Sequence, residues 1–426
     1  MIEEKEYKQR RDILAKQLPK KSVSIFLSST NKRRSNDTDF PYRQDSNFYY
    51  LSGFKEDNAA LVFVKKNKSV QSILFVQKKD PTMELWNGIR LGKKEAKKVF
   101  EVDKVYVSDS LEKRLAEFLE NKQRVLYDFD CDNELLSKIK SLAKRCKIHQ
   151  DVAPFVYKMR LLKSPSEIAL IQKALEITKE AHHQAMQMRK RDKYEYQVQA
   201  EIEYTFKKNG AYSDAYTTIV ASGNNANTLH YIQNDKRFCE GEMILIDAGC
   251  EYEYYASDIT RTIPVGTKFT KAQKEIYSLV LDVQKKIINM IRPGVMRSEL
   301  QTRSEELLCE GMIALGILEG ELQELLETKT HKKYYPHGIG HWMGIDVHDQ
   351  APYKYDNAQE IPLQKGMVLT IEPALYFDEK DTDIPLKYRG IGVRIEDNIL
   401  VTNKGFKNLS KEIIKEIEDI ESYSSE

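Results

Sequence analysis

The 426 residues carry 67 Lys and Arg against 65 Asp and Glu, a formal net charge of +2, with 41% hydrophobic content. A balance this even, with both signs interspersed, disfavours nucleic acid as a partner, and no apolar run approaches the ~18 residues of a membrane span. The acidic opening Met1-Ile2-Glu3-Glu4-Lys5-Glu6 lacks an apolar stretch with a cleavage site, so no secretory signal is read and the expected address is cytoplasmic.

At roughly 150 residues per domain, the length predicts two or three domains. Short β-branched or aromatic runs at Ser22 to Leu27, Ala60 to Val64, Ser72 to Val76 and Arg124 to Tyr127 read as strands. Helical patterns fall between or after them, at Glu95 to Phe100, Leu111 to Leu119 and Asn133 to Ala143, which predicts an N-terminal α/β domain over residues 1–160. Ser164-Pro165-Ser166-Glu167 then combines an N-cap serine, a proline at the first helical position and a glutamate at the third, the signature of a helix start. That helix is expected to run to about Met188, followed by a helix at Tyr194 to Lys208. Strands are expected at Thr217 to Ala221, Met243 to Ala248 and Ile259 to Val265. Two further helices, Lys271 to Met290 and Arg297 to Leu315, lead to strands at Val368 to Leu375 and Gly392 to Val401. Helices, strands, helices, strands describe an α+β domain over residues 161–426 with two similar halves. Lys411 to Ser422 reads as a closing amphipathic helix, and Ser424-Ser425-Glu426 as frayed. The five cysteines, Cys131, Cys146, Cys239, Cys250 and Cys309, are widely and irregularly spaced and read as reduced thiols.

The informative feature is a set of carboxylates where carboxylates are expensive. Asp247 ends the apolar run Met243-Ile244-Leu245-Ile246, and an ionised group there needs a cation or several donors. Asp258 lies in a second strand-like stretch, Tyr255 to Thr262, and an antiparallel return would bring the two aspartates together. One such aspartate alone would pass as a turn cap or a partner of Arg261. Glu372, however, closes the run Met367 to Ile371, and Glu396 sits within Gly392 to Asp397, where it shares strand parity with Arg394. Clustered acids that could not all stay ionised point to a shared cation.

Of eight histidines, three fall at His337, His341 and His348 in a glycine-rich stretch. The four-residue spacing of His337 and His341 is that of a zincin helix, but Gly338, Gly340 and Pro336 argue for a loop or strand instead. His230 is a fourth candidate imidazole; His182 and His183 read as packing or surface residues. Acids with one or two imidazoles and no thiolate make an oxygen-rich ligand set that favours manganese, cobalt or iron. There are enough ligands for two ions, the arrangement of metal-assisted hydrolysis. Neither a nucleophile elbow nor a phosphate-binding loop is present.

At these residues the chain resembles the proline-specific metallopeptidases of the creatinase, or pita-bread, fold in peptidase family M24, and among them the aminopeptidase P (Xaa-Pro aminopeptidase) group. The resemblance spans nearly the whole chain. It rests on Pro41 to Phe54 and Leu85 to Gly92 in the N-terminal half. In the C-terminal half it rests on Ile246 to Gly249, Ser257 to Thr262, His337 to Asp349, Glu372-Pro373 and Arg394 to Asp397. It implies a creatinase-like N-terminal α/β domain that mediates oligomer contacts and gates a channel, followed by an α+β pita-bread catalytic domain. It implies two divalent ions, Mn2+ first among them, with Asp247 on one, Asp258 and Glu396 bridging, and His341 and Glu372 on the other. A metal-bridging hydroxide would attack the carbonyl before proline, His348 and His230 would contact substrate and stabilise the oxyanion, and Glu372 would move a proton. His337 would line the proline pocket, Arg394 with Tyr376 would support the ligands, and Trp86 would lie near the substrate channel of the same or a neighbouring subunit; ordinary packing is the alternative for Trp86. The implied partners are peptides with proline second, and further copies of the chain in a dimer or tetramer. Ala374, where glycine is more usual in the family, touches no ligand position. A prolidase, restricted to Xaa-Pro dipeptides, shares the core motifs, and a non-catalytic creatinase-fold binding module is the alternative from another class.

Overall fold

The computed structural model describes residues 1–190 and 192–423, so the expectation for residues 424–426 lies outside the described residues. The chain divides into two compact units, Met1–Met159 and the remainder from Arg160.

The first unit is built on a six-stranded sheet in the order Lys104–Val107, Val70–Val76, Ala60–Lys65, Ser22–Leu27, Arg124–Tyr127, Ile148–Asp151. Ala60–Lys65 runs antiparallel to both neighbours and the other pairings are parallel. Ser22–Leu27 is central and buried along its whole length, which is why its sequence, Ser-Val-Ser-Ile-Phe-Leu, is a near-continuous apolar run. Leu111, Leu115 and Leu119, one helical turn apart, close one face of the sheet. A helix at Glu4–Gln17 was not expected, because its inward stripe is partly cationic: Tyr7, Arg10, Arg11 and Leu14 are its buried residues. Arg10 and Arg11 donate to the carbonyls of Tyr50 (3.1 Å) and Leu51 (2.9 Å), the last turn of the Ser46–Ser52 helix. A guanidinium that satisfies orphan carbonyls at a helix C-terminus can be buried, and it hides the apolar period.

In the second unit, Ser164 Oγ accepts from Glu167 N (3.2 Å) while the Glu167 carboxylate accepts from Ser164 N (2.9 Å), and the Pro165–Gln187 helix starts there. Two antiparallel three-stranded sheets follow the expected halves. One pairs Ile219–Ser222, Met243–Asp247 and Thr260–Pro264; the other pairs Val368–Ile371, Asp397–Val401 and Phe406–Asn408. Helices Pro165–Gln187 and Glu195–Lys208 precede the first, and Lys271–Met290 and Arg297–Ala314 precede the second.

Two expected strands are broken at their acids. Val368–Ile371 pairs with Asp397–Val401, whereas Ala374–Tyr376 pairs with Gly392–Arg394 in a separate ribbon. Pro373 has no N–H to give to a ladder, and at the break Glu372 N turns to Ile339 O (2.9 Å) and Glu396 N to Thr260 O (3.1 Å). Glu372 and Glu396 therefore sit where the chain changes sheets. The expected helix at Lys411 to Ser422 is a correction: only Ile417–Ser422 is helical. The carbonyls of Ile413 and Ile414 accept from Arg261, and that of Lys415 from Tyr277 Oη, so they are spent on tertiary donors rather than on a helical ladder.

Charge locks the entry to this unit. Arg160 Nε donates to Asp349 (3.1 Å), Lys163 Nζ to the same carboxylate (2.8 Å), and Arg160 also pairs with Asp346. Burial works to raise the Asp349 pKa, but Lys163 and Arg160 prevail and hold it below the ordinary carboxylate value. A depressed folded-state pKa contributes stability above the unfolded value of about 3.9, lost as pH falls through the folded value. Asp349→Asn is expected to cost about 3–5 kcal/mol at neutral pH, because it leaves two buried cations short of a partner. Urea unfolding as a function of pH should show that loss, together with a shallower acid limb than the wild type.

Candidate active site

Asp247 ends its strand opposite Thr260, and Asp258 lies in the gap between Tyr255–Ala256 and Thr260–Pro264, so the antiparallel return does bring both aspartates to one cavity. Two close backbone approaches shape this region. A Cβ on Gly249 would lie 1.9 Å from Ser257 O, and one on Gly340 would lie 1.9 Å from Thr370 O, so any side chain at either position would force the strands apart.

The cavity, of about 570 Å³, is lined by Asp247, Asp258, Glu372, Glu396, His230, His337, His341, His348 and Arg394, with Tyr216, Ile219, Leu229, Ile232 and Val347 among the remaining walls. Asp258, His341 and Glu396 each present a ligand atom within 4.8 Å of the others, the geometry of a cation site. His341 Nε2 lies 3.3 Å from Asp258 and 3.6 Å from Glu372, while its Nδ1 sits 3.0 Å from Trp342 O. That carbonyl accepts from Nδ1–H and leaves Nε2 turned to the acids. Asp247 accepts from Tyr216 Oη (2.6 Å) and from Arg394 Nη2 (2.6 Å). Arg394 Nη1 also donates to Tyr376 Oη (2.8 Å), which lies 3.0 Å from His337 Nε2. The His341 and His348 rings are edge to face, 4.1 Å apart.

The electrostatics are those of a site built for positive charge. Burial and then the charges of Asp258, Glu372 and Asp247 push the Glu396 carboxyl well above the ordinary value. Burial, with Asp258 and Asp247 against His341 and Arg394, raises Glu372 to about 7. Burial opposes a charge on His341, yet its hydrogen bond to Asp258 and the charge of Glu372 hold it up at about 9. His337 moves the other way, to about 4, through burial and then Arg394. Acids that repel one another this strongly, around an imidazole whose Nε2 faces them, fit a divalent cation.

The structure thus gathers every predicted site residue of the second unit, with Tyr376 joined through His337 and Arg394. Trp86 belongs to the first unit, on the Pro81–Asn87 helix, and is 79% exposed. Sequence reasoning missed Tyr216, Thr260, whose Oγ1 donates to Glu396 (2.8 Å), and Thr370, whose Oγ1 donates to Glu372 (3.2 Å). Thr260 and Thr370 each stand two residues from an acid already singled out, on the same strand parity, which is a signal that could have found them. Tyr216 offers none.

An oxygen-rich cavity of this kind, reached across two antiparallel sheets, defines a metallohydrolase centre. Residues 169–403 match the model of metallopeptidase family M24, and residues 7–127 that of the aminopeptidase P N-terminal domain. The Xaa-Pro aminopeptidase of Haemophilus influenzae is 40% identical over 421 residues, covering 99% of this chain and 97% of that protein. That of Escherichia coli is 38% identical over 434 residues, covering 99% and 98%. Among solved structures, aminopeptidase P of E. coli with the inhibitor Pro-Leu superposes with a TM-score of 0.95 at 37% identity, covering 99% of this chain and 98% of that one. Proline aminopeptidase P II from Yersinia pestis gives 0.95 at 37%, covering 99% of each. The chain belongs to metallopeptidase family M24, in its aminopeptidase P group.

Manganese added to chelator-stripped protein at about one hundred times its dissociation constant should stabilise folding by about 2.7 kcal/mol. Glu396→Gln removes an acid whose ionisation the empty cavity opposes, so the stripped variant should be more stable than stripped wild type at neutral pH and gain less from the metal. Thermal melts of the four samples check both effects.

Proposed function

We propose that this protein removes the first residue of peptides whose second residue is proline, by hydrolysis of the Xaa-Pro bond at two divalent cations, manganese foremost. The observation that carries the reading is the convergence of Asp258, His341 and Glu396 on one point within a cavity that Asp247 and Glu372 also line. The near full-length likeness to Xaa-Pro aminopeptidases supports it.

Asp258 and Glu396 would be shared between the ions, with Asp247 holding one and His341 and Glu372 the other. Bound there, the cations would polarise the scissile carbonyl and make a water nucleophilic near neutral pH. The remaining work falls to side chains. Arg394 neutralises Asp247 and, through Tyr376, fixes the His337 ring as a wall for proline. His230 and His348 face the cavity from other loops and donate to the carbonyl oxygen as charge develops on it. Glu372 takes the proton of the attacking water and returns it to the leaving proline nitrogen. The scissile amide is tertiary, with no N–H to offer a general peptidase cleft, so selection by ring shape suits this substrate.

We further propose that the N-terminal domain mediates self-association into a dimer or tetramer. The apolar surface made by Leu85, Trp86 and Ile89, all largely exposed, supports this. It leaves Trp86 available to a neighbouring subunit's channel. No helix among the described residues is long and apolar enough to cross a membrane.

Stripped and manganese-loaded protein should be compared on an Xaa-Pro-Yaa tripeptide and an Xaa-Pro dipeptide. Metal-dependent release of the first residue from the tripeptide is expected; turnover of the dipeptide alone would mean a prolidase, and silence on both with metal bound would overturn the enzymatic reading. Asp258→Ala should abolish activity and metal binding while the fold, read by circular dichroism, survives. His348→Ala should retain metal and lose about 10²–10³-fold in kcat.

A further inference from the structure

His230 is exposed within the cavity, and among the described residues none hydrogen-bonds to its ring. Its orientation must come from its backbone, which lies in a loop between the Gly223–Asn227 turn and Met243–Asp247. The next residue, Tyr231, is buried. Its ring is buried in a cluster with Ile219, Ala221, Ala226, Leu245 and Ala374, and its hydroxyl donates to Glu195 Oε2 (2.7 Å).

Glu195 is fully buried at the start of the Glu195–Lys208 helix and plays no part in the metal cavity. Its Oε1 accepts from Ser222 N (2.7 Å), Ser222 Oγ (2.8 Å) and Asn225 Nδ2 (3.1 Å). Its Oε2 accepts from Lys236 N (2.9 Å) as well as from Tyr231. One carboxylate thus ties together the end of a central strand, the turn after it, and both flanks of the segment that carries His230. A buried ionised carboxylate is tolerated when donors surround it, and a carboxylate held by five donors is a rigid anchor. Nearby, Asn234 is fully buried and accepts from Val220 N (2.9 Å) while donating to Thr218 O (2.8 Å), so the far side of the loop is fastened to the same strand.

We propose that Glu195 and Tyr231 are positioning residues for His230: the Tyr231 hydroxyl, anchored on Glu195, fixes the loop so that the unbonded imidazole beside it points at the reacting carbonyl. The inference rests on the role given to His230 above. Glu195 touches neither metal ligands nor substrate walls; it reaches the site through the Tyr231 segment and through the end of the Ile219–Ser222 strand.

Tyr231→Phe is the sharp test, because it keeps the buried ring and deletes only the hydroxyl. It should be measured alone, with His230→Ala, and in the double variant, on the manganese-loaded enzyme with a proline-containing tripeptide, recording kcat, KM, metal content and melting temperature. The expected result is a loss in kcat of about tenfold for Tyr231→Phe, with KM and metal content little changed, and a loss of under about twofold when the same change is made in the His230→Ala background. Glu195→Gln, which keeps the shape but presents an amide N–H to the hydroxyl, should follow the same non-additive pattern. Equal losses in both backgrounds, or no loss from Tyr231→Phe while His230→Ala is impaired, would overturn the proposal and leave the role of His230 standing. Full kcat in His230→Ala would remove that role and the proposal together.

Discussion

Four carboxylates share one cavity, and their mutual repulsion is the constraint that the rest of the second unit answers. Burial and the neighbouring acids push protons onto Asp247, Glu372 and Glu396, while Arg394, His341 and the Tyr216 hydroxyl oppose this from within the cavity lining. Two protein cations against four acids leave negative charge that bound divalent ions would offset. Such a cavity is unfavourable when empty and favourable when loaded, which is how a fold can store affinity for metal in its own electrostatics.

The backbone is arranged to make that concentration of charge possible. Glu372 and Glu396 occupy the two places where the chain leaves one sheet for another, so their N–H groups bond across to Ile339 and Thr260 rather than within a ladder. Behind them, Arg261 is fully buried and donates to the Asp397 carboxylate and to the carbonyls of Thr260, Glu396, Ile413 and Ile414. One guanidinium thereby fastens the C-terminal segment to the strands that flank Asp258 and Glu396. Arg261 and Asp397 are hydrogen-bonded throughout, and a buried pair of this kind is stiff because each member would be costly to orphan.

Much of this was legible in the sequence because burying a charge leaves a mark. Asp247 after Met-Ile-Leu-Ile and Glu372 after Val-Leu-Thr-Ile are conspicuous for the same reason that they are functional: nothing in an apolar strand explains them. The start of the long helix at Pro165 was equally readable, since Ser164 and Glu167 satisfy each other locally. What was not legible depends on partners far away in the chain. The splits at Glu372-Pro373 and at Glu396 follow from which strand each half meets, and the periodicity of either run gives no hint of it. The helix read at Lys411 fails because Arg261 and Tyr277 take its carbonyls. The helix at Glu4–Gln17 went unseen because arginines occupy half of its buried stripe. Glu195 looked like any first-turn glutamate, and only its five donors show otherwise.

The central claim is that this acid cluster exists to be bridged by divalent ions. Crystals of the manganese-loaded protein, measured at the manganese absorption edge, test it most directly. The account predicts two anomalous peaks among Asp247, Asp258, His341, Glu372 and Glu396, with Asp258 and Glu396 touching both. Fully occupied manganese elsewhere and none in this cavity would contradict it.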